Sequence, residues 1–131
     1  MNKLQILALF SDSCLIDEDG KSFLLISQSG KVSRYNMYGW VEDLNDLSTS
    51  RSMFGCTRFI NNKWQRVNLV CYGDYEGTCE MNIAGTSTWQ STPPSIGYFW
   101  YGMTMVTWNN RVFMMGKLFH FQQFSLSHYI F

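Results

Sequence analysis

The chain has 131 residues, 46% hydrophobic and 17% aromatic, with ten basic and ten acidic side chains that cancel. That length holds one domain, and the composition excludes a disordered segment. Balanced charge without a basic stripe argues against nucleic acid, and no apolar run approaches the roughly 18 residues that span a bilayer.

The N-terminal stretch MNKLQILALFSDS carries one Lys and an apolar core broken by Gln5. It reads as an extension over residues 1–21, and the stretch itself as a strand, a ragged start or a weak signal peptide. No segment keeps a 3.6-residue period over a dozen positions, so no helix is predicted. Short apolar runs follow instead. Ser22–Ser27 is closed by QSGK and Val32–Tyr35 by NMYG, and Trp40–Asp43 comes next. Gly55–Ile60, Val67–Tyr72, Cys79–Ile83 and Trp89–Ser91 form a second group, and Met103–Trp108 with Val112–Met115 a third. Runs of this length, divided by turn residues every eight to twelve positions, describe an antiparallel all-β protein.

Asparagine pairs stand between apolar runs twice, at Asn61-Asn62 and Asn109-Asn110. A two-residue hairpin needs positive φ at both central positions, which Asn tolerates better than any residue but Gly. Met103–Met115 is therefore predicted to be a tight hairpin, and Asn61–Arg66 a longer loop. Cysteines at 14, 56, 71 and 79 form no C-x-x-C pair, which argues against zinc. Cys56 and Cys71 lie inside apolar runs and read as buried thiols. The chain has no N-x-S/T sequon, which favours an intracellular protein over a secreted one. A secreted variant would instead show N-terminal cleavage and disulfides.

The runs repeat. Trp40 and Trp89 are 49 residues apart, Gly55 and Gly102 47, Asn61 and Asn109 48, and Gly73 and Gly116 43. Four short strands fit each period, and a four-stranded sheet of about 45–50 residues in tandem is a propeller blade.

CEMNIAGTSTW places Glu80, Thr86 and Trp89, LNDLSTSR places Leu44, Leu47 and Arg51, and RYNMYGW places Tyr35, Asn36 and Trp40 at spacings that resemble the kelch repeat. The chain departs from that pattern where Tyr72-Gly73 and Gly116-Lys117 replace a double glycine, Asn82 replaces a Tyr and Tyr98 an Arg. The resemblance implies an all-β fold of antiparallel four-stranded kelch-type blades in an incomplete β-propeller. It covers residues 22–116, with one complete blade at 55–91 between two partial ones, and leaves 117–131 as an irregular tail. Its repeat markers are Trp40, Arg51, Gly55, Gly73, Glu80, Thr86, Trp89, Gly102 and Gly116. Both tryptophans are expected to wedge between sheets, and Arg51 to bond carbonyls or pair with an acid between blades.

The resemblance also implies a non-enzymatic, protein-binding platform with no cofactor. Loops after the second and fourth strands of each blade share one face, where Asp74, Tyr75, Glu76, Tyr98 and Trp100 are the candidate partner-binding residues. About two blades cannot close a ring of four to eight, so the chain reads as a fragment of a longer propeller. Self-association through open blade edges and a truncated product without independent function are the alternatives. The enzyme alternative, a galactose-oxidase-like copper protein, would have to use His120 and His128, both outside the repeats. No convergent carboxylates, nucleophile elbow or phosphate loop occurs.

Overall fold

The computed structural model describes residues 13–51, 54–71, 78–92, 104–115 and 121–124. Eleven strands run through them: β1 (Cys14–Glu18), β2 (Ser22–Ile26), β3 (Val32–Asn36), β4 (Val41–Asp43), β5 (Gly55–Ile60), β6 (Arg66–Cys71), β7 (Cys79–Ile83), β8 (Gln90–Ser91), β9 (Thr104–Trp108), β10 (Arg111–Met115) and β11 (Phe121–Phe124). They form three antiparallel sheets in chain order, β1-β2-β3-β4, β5-β6-β7-β8 and β9-β10-β11. The described chain is all-β, and each four-stranded meander has the form of a propeller blade. We call the three sheets blades 1 to 3. Their first strands lie side by side, β1 against β5 and β5 against β9.

The sequence explains which faces are buried. β1 alternates inward Ile16 and Glu18 with outward Leu15 and Asp17, the period of two expected of a half-buried strand. β6 is buried from Val67 to Cys71, because blade 2 is covered on both faces. One face meets blade 1 through Cys56 and Val70, packed with Ile16, Leu24, Ile26, Val32, Leu44, Leu47 and Phe54. The other meets blade 3, where Phe59, Val67, Leu69 and Met81 pack on Val112 and Met114. Each such side chain stabilises the fold by about 1.5–3 kcal/mol through burial.

Two boundaries differ from the sequence reading. Residues 14–18, assigned to an N-terminal extension, are the first strand of blade 1. Charged Glu18 sits in that strand because Arg34 Nε donates to its Oε1 at 2.7 Å. This hydrogen bond, reinforced by Glu42 on the next strand, holds the Arg34 guanidinium above its ordinary pKa. At the other end, Phe121–Phe124 pairs with β10, so part of the supposedly irregular tail is a strand. The three sheets expected are present, and with these two strands the described chain holds eleven strands, nearer three blades than the two blades' worth read from the sequence.

The Asn-Asn hairpin forms as expected. Asn109 and Asn110 have φ of 51° and 54°, and Trp108 pairs directly with Arg111. Asn110 also links blades: its Oδ1 accepts from Ile60 N at 2.8 Å and its Nδ2 donates to Ile60 O at 3.0 Å.

The cysteines are a correction. Cys14 bonds to Cys56 and Cys71 to Cys79, and no free cysteine is present among the described residues. The first bridge joins β1 to β5, the innermost strands of neighbouring blades. The second joins two residues directly opposite in the β6–β7 register. Strand register brought these pairs together, which spacing along the chain does not reveal.

The connection from blade 1 to blade 2 is anchored by charge. Arg51 is buried and its Nε donates to Glu80 Oε2 at 3.3 Å, while Nη1 donates to Thr78 O at 2.7 Å. Ser48 donates to Glu80 Oε1 from its N at 2.6 Å and from its Oγ at 2.7 Å. The carboxylate is thus satisfied on both oxygens, as burial of a charge demands.

Candidate recognition surface

The turns after the first and third strands of each meander emerge on one side of the molecule, because consecutive strands reverse direction. Four contacts tie these turns together. Met37 N donates to Lys21 O at 3.2 Å. Arg58 Nη1 donates to Asp19 Oδ1 at 3.5 Å, and Arg66 pairs with the same carboxylate. Asn110 holds Ile60, as above.

Two turns on this side share one design. In β3–β4, Asn36 Oδ1 accepts from Tyr38 N at 2.9 Å and from Trp40 N at 3.0 Å. In β5–β6, Asn61 Oδ1 accepts from Lys63 N and from Gln65 N, both at 2.9 Å. The backbone bonds match as well: Asn36 N to Trp40 O and Gly39 N to Asn36 O, Asn61 N to Gln65 O and Trp64 N to Asn61 O. An Asn at the first position supplies an acceptor that a backbone turn lacks. Asn36→Ala or Asn61→Ala is expected to cost about 1 kcal/mol, read from a urea midpoint, since each removes two such bonds on an exposed turn.

The fourth position of both turns has positive φ. Gly39 occupies it at 84°, Trp64 at 61°. For a residue with a bulky side chain this left-handed backbone costs about 1–2 kcal/mol. Packing does not offset the strain, since Trp64 is 86% exposed. Tyr38 and Met37 are also exposed, and so is Trp40, at 73%. Around them stand the exposed cations Lys21, Lys63, Arg66 and Arg111 and the exposed carboxylates Asp17 and Asp19.

Trp40 corrects an expectation. It does not wedge between sheets, because the Asn36 turn fixes its backbone at the hairpin end, beyond the sheet-to-sheet contact. Trp89 does pack against the core between blades 1 and 2. Arg51 and Glu80 form the inter-blade pair. Arg51 is therefore buried rather than offered to a partner, and Leu44 and Leu47 of the same connection point into the core. Thr86 closes the β7–β8 turn, its Oγ1 donating to Ile83 O at 2.7 Å. Gly55 begins β5 and is not among the left-handed glycines, which are Gly20, Gly30, Gly39 and Gly85 among the described residues. Gly73, Gly102, Gly116 and the five candidate partner-binding residues, Asp74, Tyr75, Glu76, Tyr98 and Trp100, lie outside the described residues, as do His120 and His128. Trp64 was not singled out from the sequence. Aligning NNKWQ with NMYGW would have found it, because a Trp stands where the sister turn has its Gly.

No family model matches the chain and no curated protein matches it, so the kelch resemblance stays one of motif spacing. Among solved structures, a streptogramin B lyase structure resembles it with a TM-score of 0.49 and 8% sequence identity, over 88% of this chain and 40% of the lyase chain. This chain thus corresponds to less than half of that protein's length, and the likeness is too slight to carry chemistry.

Proposed function

We propose that the chain is a non-enzymatic, kelch-like protein-interaction module that binds its partner through the turn side of the blades. Trp64 carries the reading. A large aromatic kept in left-handed backbone and almost fully in water costs stability without returning any, and such strain is characteristic of functional positions. Aromatic side chains are also the residue types that dominate binding energy at interfaces. The four cations and two carboxylates around it suit a partner segment with apolar side chains flanked by acids. Both disulfides need an oxidising compartment to form, which revises the intracellular expectation.

Trp64→Gly separates the two roles. The variant is expected to melt higher than the parent, because Gly adopts this backbone without strain. It is also expected to bind the partner at least tenfold more weakly, as loss of a central anchor does. The partner would be captured on the immobilised, oxidised chain, identified by mass spectrometry and titrated against both proteins. Equal affinity in parent and variant would remove the turn side as the recognition surface.

A further inference from the structure

One row of side chains across blade 2, on the face turned to blade 1, is polar. Arg58 on β5 stands directly opposite Asn68 on β6, and Asn68 directly opposite Asn82 on β7. Asn68 and Asn82 are buried. On the same face Cys56 and Val70, the next pair along β5 and β6, belong to the apolar cluster between the blades. Blade 1 fills the equivalent row differently. Tyr35 is the counterpart of Asn82 in the repeat, and it stacks on Phe23, its partner in register.

Hydrogen bonds fix how the two amides point. Asn82 Nδ2 donates to Thr86 O at 2.9 Å and to Thr88 O at 3.0 Å. Its Oδ1 is turned to β6, where it accepts from Asn68 Nδ2 at 3.0 Å. Asn68 Oδ1 is therefore turned away from β7, towards β5. There Arg58 is held by blade 1, its Nη1 donating to Asp17 O at 3.3 Å and to Asp19 Oδ1 at 3.5 Å. Arg58 Nε and Asn68 Oδ1 are both buried and have no hydrogen-bond partner among the described residues. A donor and an acceptor on neighbouring strands thus stand opposite each other without a bond between them, and leaving both unmade is costly.

We propose that this row binds one water molecule, which accepts from Arg58 Nε and donates to Asn68 Oδ1. The two atoms select the ligand, because it has to accept one hydrogen bond and donate another. A halide or carboxylate cannot donate to Asn68 Oδ1, and a cation cannot accept from Arg58. Water does both in the smallest volume, and ordered waters commonly satisfy buried polar groups that the chain leaves unpaired. Two amides also fill less of a junction than the stacked rings of blade 1. With the water bound, hydrogen bonds run unbroken from Asp19 through Arg58, Asn68 and Asn82 to the turn at Thr86. Blade 1 is thereby linked to the third strand of blade 2. The remaining buried atom without a partner, Trp89 Nε1, lies beyond Asn82 and takes no part.

Nuclear magnetic resonance on the full oxidised chain tests the site. Arg58 Hε is expected to show cross-peaks to water of opposite sign in laboratory-frame and rotating-frame Overhauser spectra, which a long-lived bound water gives and proton exchange does not. A crystal structure is expected to place a water within hydrogen-bond distance of both Arg58 Nε and Asn68 Oδ1. Absence of the cross-peaks, or Nε donating directly to Oδ1 in the crystal, would overturn the site. Asn68→Leu removes the acceptor and is expected to abolish the cross-peaks, with circular dichroism and a cooperative melt showing that the variant folds. Their persistence in the folded variant would place the water elsewhere and sink the proposal. Should that variant not fold, the spectra of the unmodified chain decide alone. The site is independent of the recognition reading, so Trp64→Gly is expected to keep the cross-peaks whatever it does to partner binding.

Discussion

Arg51→Ala is expected to lower stability by about 3–5 kcal/mol, because it strands the Glu80 carboxylate in the core. Arg51 and Glu80 are almost completely buried, and the pair sits where the connection from blade 1 enters blade 2. A domain of this size has about 5–15 kcal/mol in total, so the variant would stand near its unfolding limit at room temperature. Glu80→Gln alone is expected to be nearly as damaging, since it leaves the guanidinium without its counter-charge. The double variant Arg51→Met with Glu80→Gln is expected to recover part of the loss, because no uncompensated charge remains. Urea midpoints at constant slope give the three numbers. Independent, additive costs for the two single changes would show that the residues do not act as a pair.

Replacing both Cys14 and Cys56 with Ser is expected to cost about 4 kcal/mol, from the loop entropy of a bridge with a sequence separation of 42. The same treatment of Cys71 and Cys79, separated by only 8, is expected to cost about 2–3 kcal/mol. Removal of the longer bridge should also reduce cooperativity, because it is the covalent tie between blades 1 and 2 apart from the chain itself. Thermal melts of the two double variants, with the other bridge intact, test the ranking. A larger effect from the shorter bridge would mean that loop closure is not what these bridges contribute.

Much of the fold could be read from residues whose local preference and burial agree. The Asn109-Asn110 turn was legible because its chemistry is local. Arg51 as a partner for an acid between blades was legible because a buried guanidinium requires a carboxylate or carbonyls. β1 was hidden by Asp17, Glu18 and Asp19, whose charge suggests solvent until Arg34 is seen across the sheet. β11 was hidden because Gln122 and Gln123 interrupt its apolar pattern. Trp40 misled for the opposite reason: its hydrophobicity argues for burial, but the turn geometry keeps it outside. The candidate surface was the least legible part, since Trp64 becomes conspicuous only when a backbone angle is attached to it.

The nearest-neighbour order of the sheets also bears on how the cysteines find one another. Four thiols permit three pairings, but each meander assembles from strands adjacent in sequence. The β6–β7 hairpin brings Cys71 to Cys79 by closing a short loop, at a much smaller entropic cost than joining strands of two blades. Once those two are spent, Cys14 and Cys56 have only each other. Native pairing therefore follows from the order in which hairpins and blades form, and an oxidant acting before the hairpin closes is what would divert Cys14 to the wrong partner.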